Sequence, residues 1–236
     1  MRCALLHGFA GDPSVWDEVI AAWVLREAPI AVALPGHGGG PVLPTWEDNL
    51  AVIAGAITGC DVVVGYSLGA RVALGLIATG RCAHAVLIGV NPGIGEAERE
   101  PRREFDAAWA RLLRADGVAA FDAAWTKQPL FATQTRAPEA TRDERRARRL
   151  ALDPEQLARS LEVMGLANMP DYWSAVPAHR DRIALIAGAD DPKYVAISAG
   201  LPATSFETIP DCGHDPTLEQ PRELAAAIAR AVERLR

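Results

Sequence analysis

The chain has 236 residues, half of them hydrophobic, with a formal net charge of −6 and a pI of about 5.4. Length and apolar content suit one α/β domain with an inserted subdomain, and the acidic balance, without a basic tail or stripe, argues against a nucleic-acid binder. The opening apolar run, Cys3 to Leu6, is too short for a signal peptide or a membrane span.

Taken in chain order, six short apolar runs read as strands: 2–6, 30–34, 61–65, 84–90, 182–187 and 205–209. Amphipathic patterns at 14–27, 46–57 and 68–78 separate the first four and predict helices. Continuous apolar strands alternating with helices imply a parallel sheet covered on both faces. The alternation stops after Val90. From Asn91 to Val176 the pattern is helical only, with helices expected at 98–114, 136–150 and 154–166. It resumes at Arg182 and closes with a helix over 218–235. The expected organisation is a core of residues 1–90 and 177–236 with a helical cap over 91–176.

The cap carries thirteen basic and fourteen acidic residues. Its run RDERRARR at 142–149 reads as a solvated helix face, so an anion site there must come from particular arginines. Cys3, Cys60, Cys82 and Cys212 share no C-x-x-C spacing, and three lie in or beside apolar runs. That is the pattern of reduced thiols in a cytoplasmic protein. No metal-ligand spacing or cofactor fingerprint is present, and no metal or cofactor is expected.

The stretch VVVGYSLGARVALGLI, residues 62–77, holds the clearest chemical signal. Gly65-Tyr66-Ser67-Leu68-Gly69 matches G-x-S-x-G between an apolar strand and a helical pattern. Such a turn exposes a serine at the sheet edge, beneath the N–H groups of the following helix. A serine hydroxyl needs a base. His214 lies just after the last strand and Asp191 just after the fifth, giving the order Ser67, Asp191, His214. Asp190 is a rival to Asp191, while Asp211 and Asp215 lie too close to His214 to orient it. The backbone N–H groups of Phe9 and Leu68 are the candidate oxyanion hole. His7 and His37, in LLHGF and LPGHG, read as loop-packing residues.

Arg71, at i+4 from Ser67, shares the serine's helix face within an otherwise apolar run. Together LLHGFAGDPSVWDEV, LPGHG, GYSLGARVAL, DDPKY and CGHDPTLEQPRELA resemble the α/β-hydrolase superfamily over nearly the whole core. The resemblance implies that fold, with a mostly parallel sheet of about six strands, two N-terminal strands common in the superfamily being missing. In the cap and beside the elbow, Asn91-Pro92-Gly93, Arg102 with Asp106 and Trp109, Gln128 to Phe131, and Arg71 resemble the 2-succinyl-6-hydroxy-2,4-cyclohexadiene-1-carboxylate synthases of menaquinone biosynthesis. Ala70 and Thr126 stand where those synthases commonly have glycine and tyrosine.

That second resemblance implies elimination of pyruvate from a substrate with three carboxylates, with Ser67 as base and no acyl-enzyme. A trianion in a dry pocket needs cations, and guanidinium grips carboxylate at two points. The expected contacts are Arg71, Arg102, Lys193, Trp125, Gln128 and Phe131, with Trp173 a further wall. Whether Arg102 or Arg103 faces the pocket stays open. Two other functions remain: a hydrolase of the same fold acting on an ester or carbon–carbon bond, and a non-catalytic binding protein. The arginine beside the elbow favours the first reading over the hydrolase, because neutral-ester pockets are mostly apolar. The expected partner is a small anionic molecule.

Overall fold

A computed structural model describes residues 1–236. In chain order the strands are β1 (Cys3–Leu6), β2 (Ile30–Val32), β3 (Val62–Tyr66), β4 (His84–Ile88), β5 (Ile183–Gly188) and β6 (Ser205–Ile209). The helices are α1 (Asp17–Ala21), α2 (Trp46–Ala56), α3 (Leu68–Ala78), α4 (Glu96–Trp125), α5 (Glu139–Leu150), α6 (Pro154–Met164), α7 (Ala175–Ala178), α8 (Pro192–Ala199), α9 (Pro216–Glu219) and α10 (Pro221–Arg234). The strands form one sheet in the order β2-β1-β3-β4-β5-β6, and every pairing is parallel.

Strand side chains alternate between two cores because successive Cβ atoms point to opposite faces. Ala4, Leu6, Val63, Ala85, Leu87, Ile183 and Leu185 pack with α2, α3 and α7 on one face. Cys3, Leu5, Val62, Val64, Val86, Ile88, Ala184 and Ile186 pack with α1 and α10 on the other. With both faces covered, the four inner strands β1, β3, β4 and β5 are almost wholly buried apolar runs, as a parallel sheet requires, while the edge strands β2 and β6 are partly exposed. The chain from Gly89 to Arg182 adds no strand. Its helices α4 and α6 enclose a smaller core of Ala110, Leu113, Val118, Phe121, Leu157, Ala158 and Leu161.

Three of the expected helices differ in form, and α7, α8 and a 3₁₀ segment at Pro129–Arg136 correspond to no expected element. The helix expected over 14–27 is a 3₁₀ turn, Pro13–Trp16, followed by α1, which ends at Ala21. Pro29 disfavours helical geometry at the residue before it, and Val24 beyond the helix end is 71% exposed. The first insert helix runs on to Trp125 but is two helices end to end, joined at Gly117 with φ of 74°. The C-terminal helix is split into α9 and α10, with Pro221 opening the second piece. All four cysteines are free thiols, three of them buried. No helix is long and apolar enough to cross a membrane.

Candidate active site

Ser67 occupies the turn between β3 and α3 at φ 53° and ψ −107°, a region unfavourable for a residue with a side chain. The neighbouring glycines make this turn feasible. A Cβ at Gly65 would collide with the Gly69 carbonyl, and one at Gly69 with the Leu6 carbonyl. The Ser67 N–H donates to the Ile88 carbonyl at 2.9 Å, pinning the turn to β4.

The three polar residues meet at the carboxyl ends of β3, β5 and β6. His214 Nε2 lies 3.1 Å from Ser67 Oγ, and Nδ1 lies 2.7 Å from Asp191 Oδ2. The carboxylate acceptor holds the imidazole proton on Nδ1, leaving Nε2 free to take the serine proton. His214 and Asp191 are both buried. Tyr194 packs against the imidazole with ring centroids 4.5 Å apart, and Tyr66 lies against it at 5.6 Å. Asp190 turns outward to pair with Arg136, so of the two adjacent aspartates Asp191 meets the histidine. Asp215 points away from the imidazole, towards Arg145 and Thr217.

Leu68 opens α3, so its N–H has no carbonyl one turn earlier in the helix to bond. The Phe9 N–H likewise makes no turn or loop hydrogen bond. Both donors remain available on the β1 and β3 loops. His7 and His37 build the adjoining loop. His7 Nε2 accepts from Leu34 N and His37 Nε2 from Ala10 N, each at 3.1 Å. Burial pulls their pKa values down to about 4 and about 3 respectively, so both are neutral braces at physiological pH.

A cavity of about 1300 Å³, its mouth included, opens above Ser67 and His214. Of the six expected contacts, Arg71, Arg102, Lys193, Trp125, Gln128 and Phe131 all line it, with Phe9 and Leu68. Trp173 does not. Its indole is tied to the Gly93 carbonyl, and it borders a neighbouring groove. Arg71 reaches the Met164 carbonyl at 2.9 Å and has no carboxylate partner. Burial, and then the charge of Arg102, lower its pKa to about 10, which leaves it cationic. Arg102 is held by the buried Asp106 at 2.9 Å, whereas Arg103 is exposed and bridges Glu100 and Asn168. Arg102 therefore faces the cavity. No aspartate or glutamate lines this space, while three cations do.

Sequence reasoning missed Tyr194, whose ring lies on His214 and whose side chain joins the cavity wall. Its signal was the position three residues beyond Asp191, at the start of α8. The reading of RDERRARR as a solvated face also needs correction. Arg146 and Arg149 both grip the buried Asp122, at 2.9 and 2.6 Å, and Arg145 is tied to the turn after His214. Helix α5 buries no apolar residue. It docks through guanidinium groups, which an apolar pattern cannot reveal.

Residues 4–227, nearly the whole chain, match the alpha/beta hydrolase family. The chain belongs to the alpha/beta hydrolase family. Within that family it is 32% identical to the 2-succinyl-6-hydroxy-2,4-cyclohexadiene-1-carboxylate synthase of Escherichia coli O7:K1, covering 95% of this chain and 91% of that protein. The structure of MenH from S. aureus is similar over 100% of this chain and 94% of that one, with a TM-score of 0.92 and 27% identity. A malate-bound thermophilic esterase from Thermogutta terrifontis is similar with a TM-score of 0.83 and 25% identity, covering 100% and 90%. Members of the alpha/beta hydrolase family carry different chemistries on one scaffold, so the choice among them rests on the cavity.

Proposed function

We propose that this protein is a lyase. It eliminates pyruvate from 2-succinyl-5-enolpyruvyl-6-hydroxy-3-cyclohexene-1-carboxylate to give 2-succinyl-6-hydroxy-2,4-cyclohexadiene-1-carboxylate. The observation that carries this reading is the charge of the cavity wall: Arg71, Arg102 and Lys193, with no acid, inside a protein of net charge −6. A substrate with three carboxylates matches this wall in sign: Arg71 and Lys193 have no carboxylate partner, and Arg102, paired with Asp106 through Nε, keeps its other guanidinium donors. The similarity to the Escherichia coli synthase supports the same choice.

In this reading His214 takes the Ser67 proton and Asp191 stabilises the resulting imidazolium. The serine alkoxide removes the ring proton beside the succinyl ketone. Electrons move through the ring double bond and expel the enolpyruvyl oxygen, and the released enolate takes up a proton at its methylene carbon, returned through Ser67 and His214 or from solvent, to become pyruvate. The Phe9 and Leu68 N–H groups face the enolate oxygen that develops on the ketone. Trp125, Gln128 and Phe131 wall the ring. Residues 91–176 act as a cap, bringing Arg102 over the substrate.

The elbow and the free N–H pair suit acyl transfer as well, so an ester hydrolase is the second reading, supported by similarity to the Thermogutta esterase. A coupled assay separates the two. The labile enolpyruvyl substrate is generated in situ and pyruvate release is followed. The lyase reading expects rapid release that depends on this protein. Release at the spontaneous rate, together with fast turnover of a simple ester, would replace it with the hydrolase.

A further inference from the structure

Helix α5 reaches the catalytic turn through one side chain. Arg145 is 14% exposed, although the helix around it is polar. Its Nη1 donates to Thr217 Oγ1 at 2.8 Å and lies 3.4 Å from Asp215 Oδ2. Its Nη2 donates to the Thr217 carbonyl at 2.6 Å and to the Val15 carbonyl at 3.0 Å. Asp215 directly follows His214, and its Oδ1 accepts from Thr217 Oγ1 at 2.6 Å and from Leu218 N at 3.3 Å. The Arg145 fork therefore closes a ring of bonds over residues 215–218. On the other side of the imidazole, Glu219 accepts from Gly213 N at 2.8 Å and from Asp215 N at 3.3 Å. The Val15 contact extends the same grip to the 3₁₀ turn after the Phe9 loop, and Arg149 adds the Ala10 carbonyl at 3.2 Å.

We propose that Arg145 is a positioning residue: acting from the insert, it holds the Asp215–Thr217 turn so that His214 Nε2 points at Ser67 Oγ. Apart from Ser67, the imidazole makes one strong directional bond, donated by Nδ1–H to Asp191, so its reach to Ser67 depends on where the backbone of the turn is held. A shift of about 1 Å in a catalytic group can cost about a hundredfold in rate. A planar fork is suited to this task, because two of its nitrogens serve four acceptors from two separate segments. Arg145 does not line the cavity above Ser67 but a smaller one beside it that shares Phe9, Tyr66, Trp125 and Phe131 with its wall, and the side-chain bonds of Arg145 go to the turn and to Val15. The inference holds for a lyase and for a hydrolase, since both need Nε2 at the serine.

The test compares the intact protein with Arg145→Met, which keeps most of the volume, and Arg145→Lys, which keeps the charge. The first readout is the rate at which a fluorophosphonate labels Ser67. The second is the imidazole Nδ1–H resonance of His214 in 15N-histidine-labelled protein. The third is the division of any loss between kcat and KM. Arg145→Met is expected to slow labelling about tenfold or more and to move or broaden the resonance. Its loss should fall on kcat, with KM within about twofold, and Arg145→Lys should recover part of the rate. Labelling and resonance unchanged in a folded Arg145→Met protein would overturn the proposal. So would a loss matched by the fraction unfolded and not recovered by lysine. A parent protein that releases no pyruvate would defeat the lyase reading alone, because the first two readouts report only on the Ser67–His214 pair.

Discussion

Arg71 stands one helical turn beyond Ser67, its N–H donating to the Ser67 carbonyl at 3.1 Å, and its guanidinium meets the Met164 carbonyl but no carboxylate. A partly buried cation without a counterion is unfavourable unless something anionic arrives. The pairing of a candidate base with a free cation at i+4 is the local reason for expecting an anionic substrate.

Replacing Arg71 tests that expectation. Arg71→Ala should cost about 2–5 kcal/mol of transition-state binding with the trianion, or roughly thirtyfold to several thousandfold in kcat/KM. Arg71→Lys should recover part, since an ammonium lacks the two-point grip. A neutral ester should lose little. Equal small effects on both substrates would make Arg71 a structural charge.

Ser67→Ala and His214→Ala should each remove turnover by about a thousandfold or more. Melting temperatures should stay within a few degrees of the parent, because neither change opens a large apolar void. Near-normal pyruvate release from Ser67→Ala would exclude the hydroxyl as base.

Gly65→Ala and Gly69→Ala should fail for a different reason. Each added methyl meets a backbone carbonyl that cannot swing aside. The expected loss is about 3 kcal/mol or more in urea unfolding, well above that of a surface Gly→Ala change. Parent-like stability in either variant would contradict the elbow geometry.

These positions show where the sequence was legible. The elbow, the order of Ser67, Asp191 and His214, and the six strands follow from apolar runs that stop at glycine or acidic turns. Continuous apolar runs set between helical patterns made the inner strands visible. Helix α5 was not legible, because it docks by arginine to Asp122, Asp215 and carbonyls far away in the chain. Composition cannot tell a docked guanidinium from a solvated one. The choice between Arg102 and Arg103 was closed by Asp106, whose carboxylate at i+4 holds Arg102. Tyr194 was overlooked because its role depends on α8 lying against the His214 turn.

Acid should destabilise the fold through His7 and His37. Burial holds their folded pKa values at about 4 and about 3, below the ordinary value of about 6.5. Between those values the unfolded chain binds more protons, so stability is fully present above pH ~6.5 and falls as pH drops. The slope for each histidine approaches about 1.4 kcal/mol per pH unit. Urea midpoints at pH 7 and pH 5 measure it, and His37→Gln should flatten the difference. A midpoint difference unchanged by His37→Gln would remove His37 from the account.

The central claim is that Ser67 acts as a base and forms no covalent intermediate. Rapid quenching during turnover of the enolpyruvyl substrate, with pyruvate and intact protein mass measured on the same samples, tests it most directly. The account predicts pyruvate appearing while the protein keeps its unmodified mass at every time point. A transient mass increase located at Ser67, rising and decaying with turnover, would contradict it and establish nucleophilic chemistry in its place.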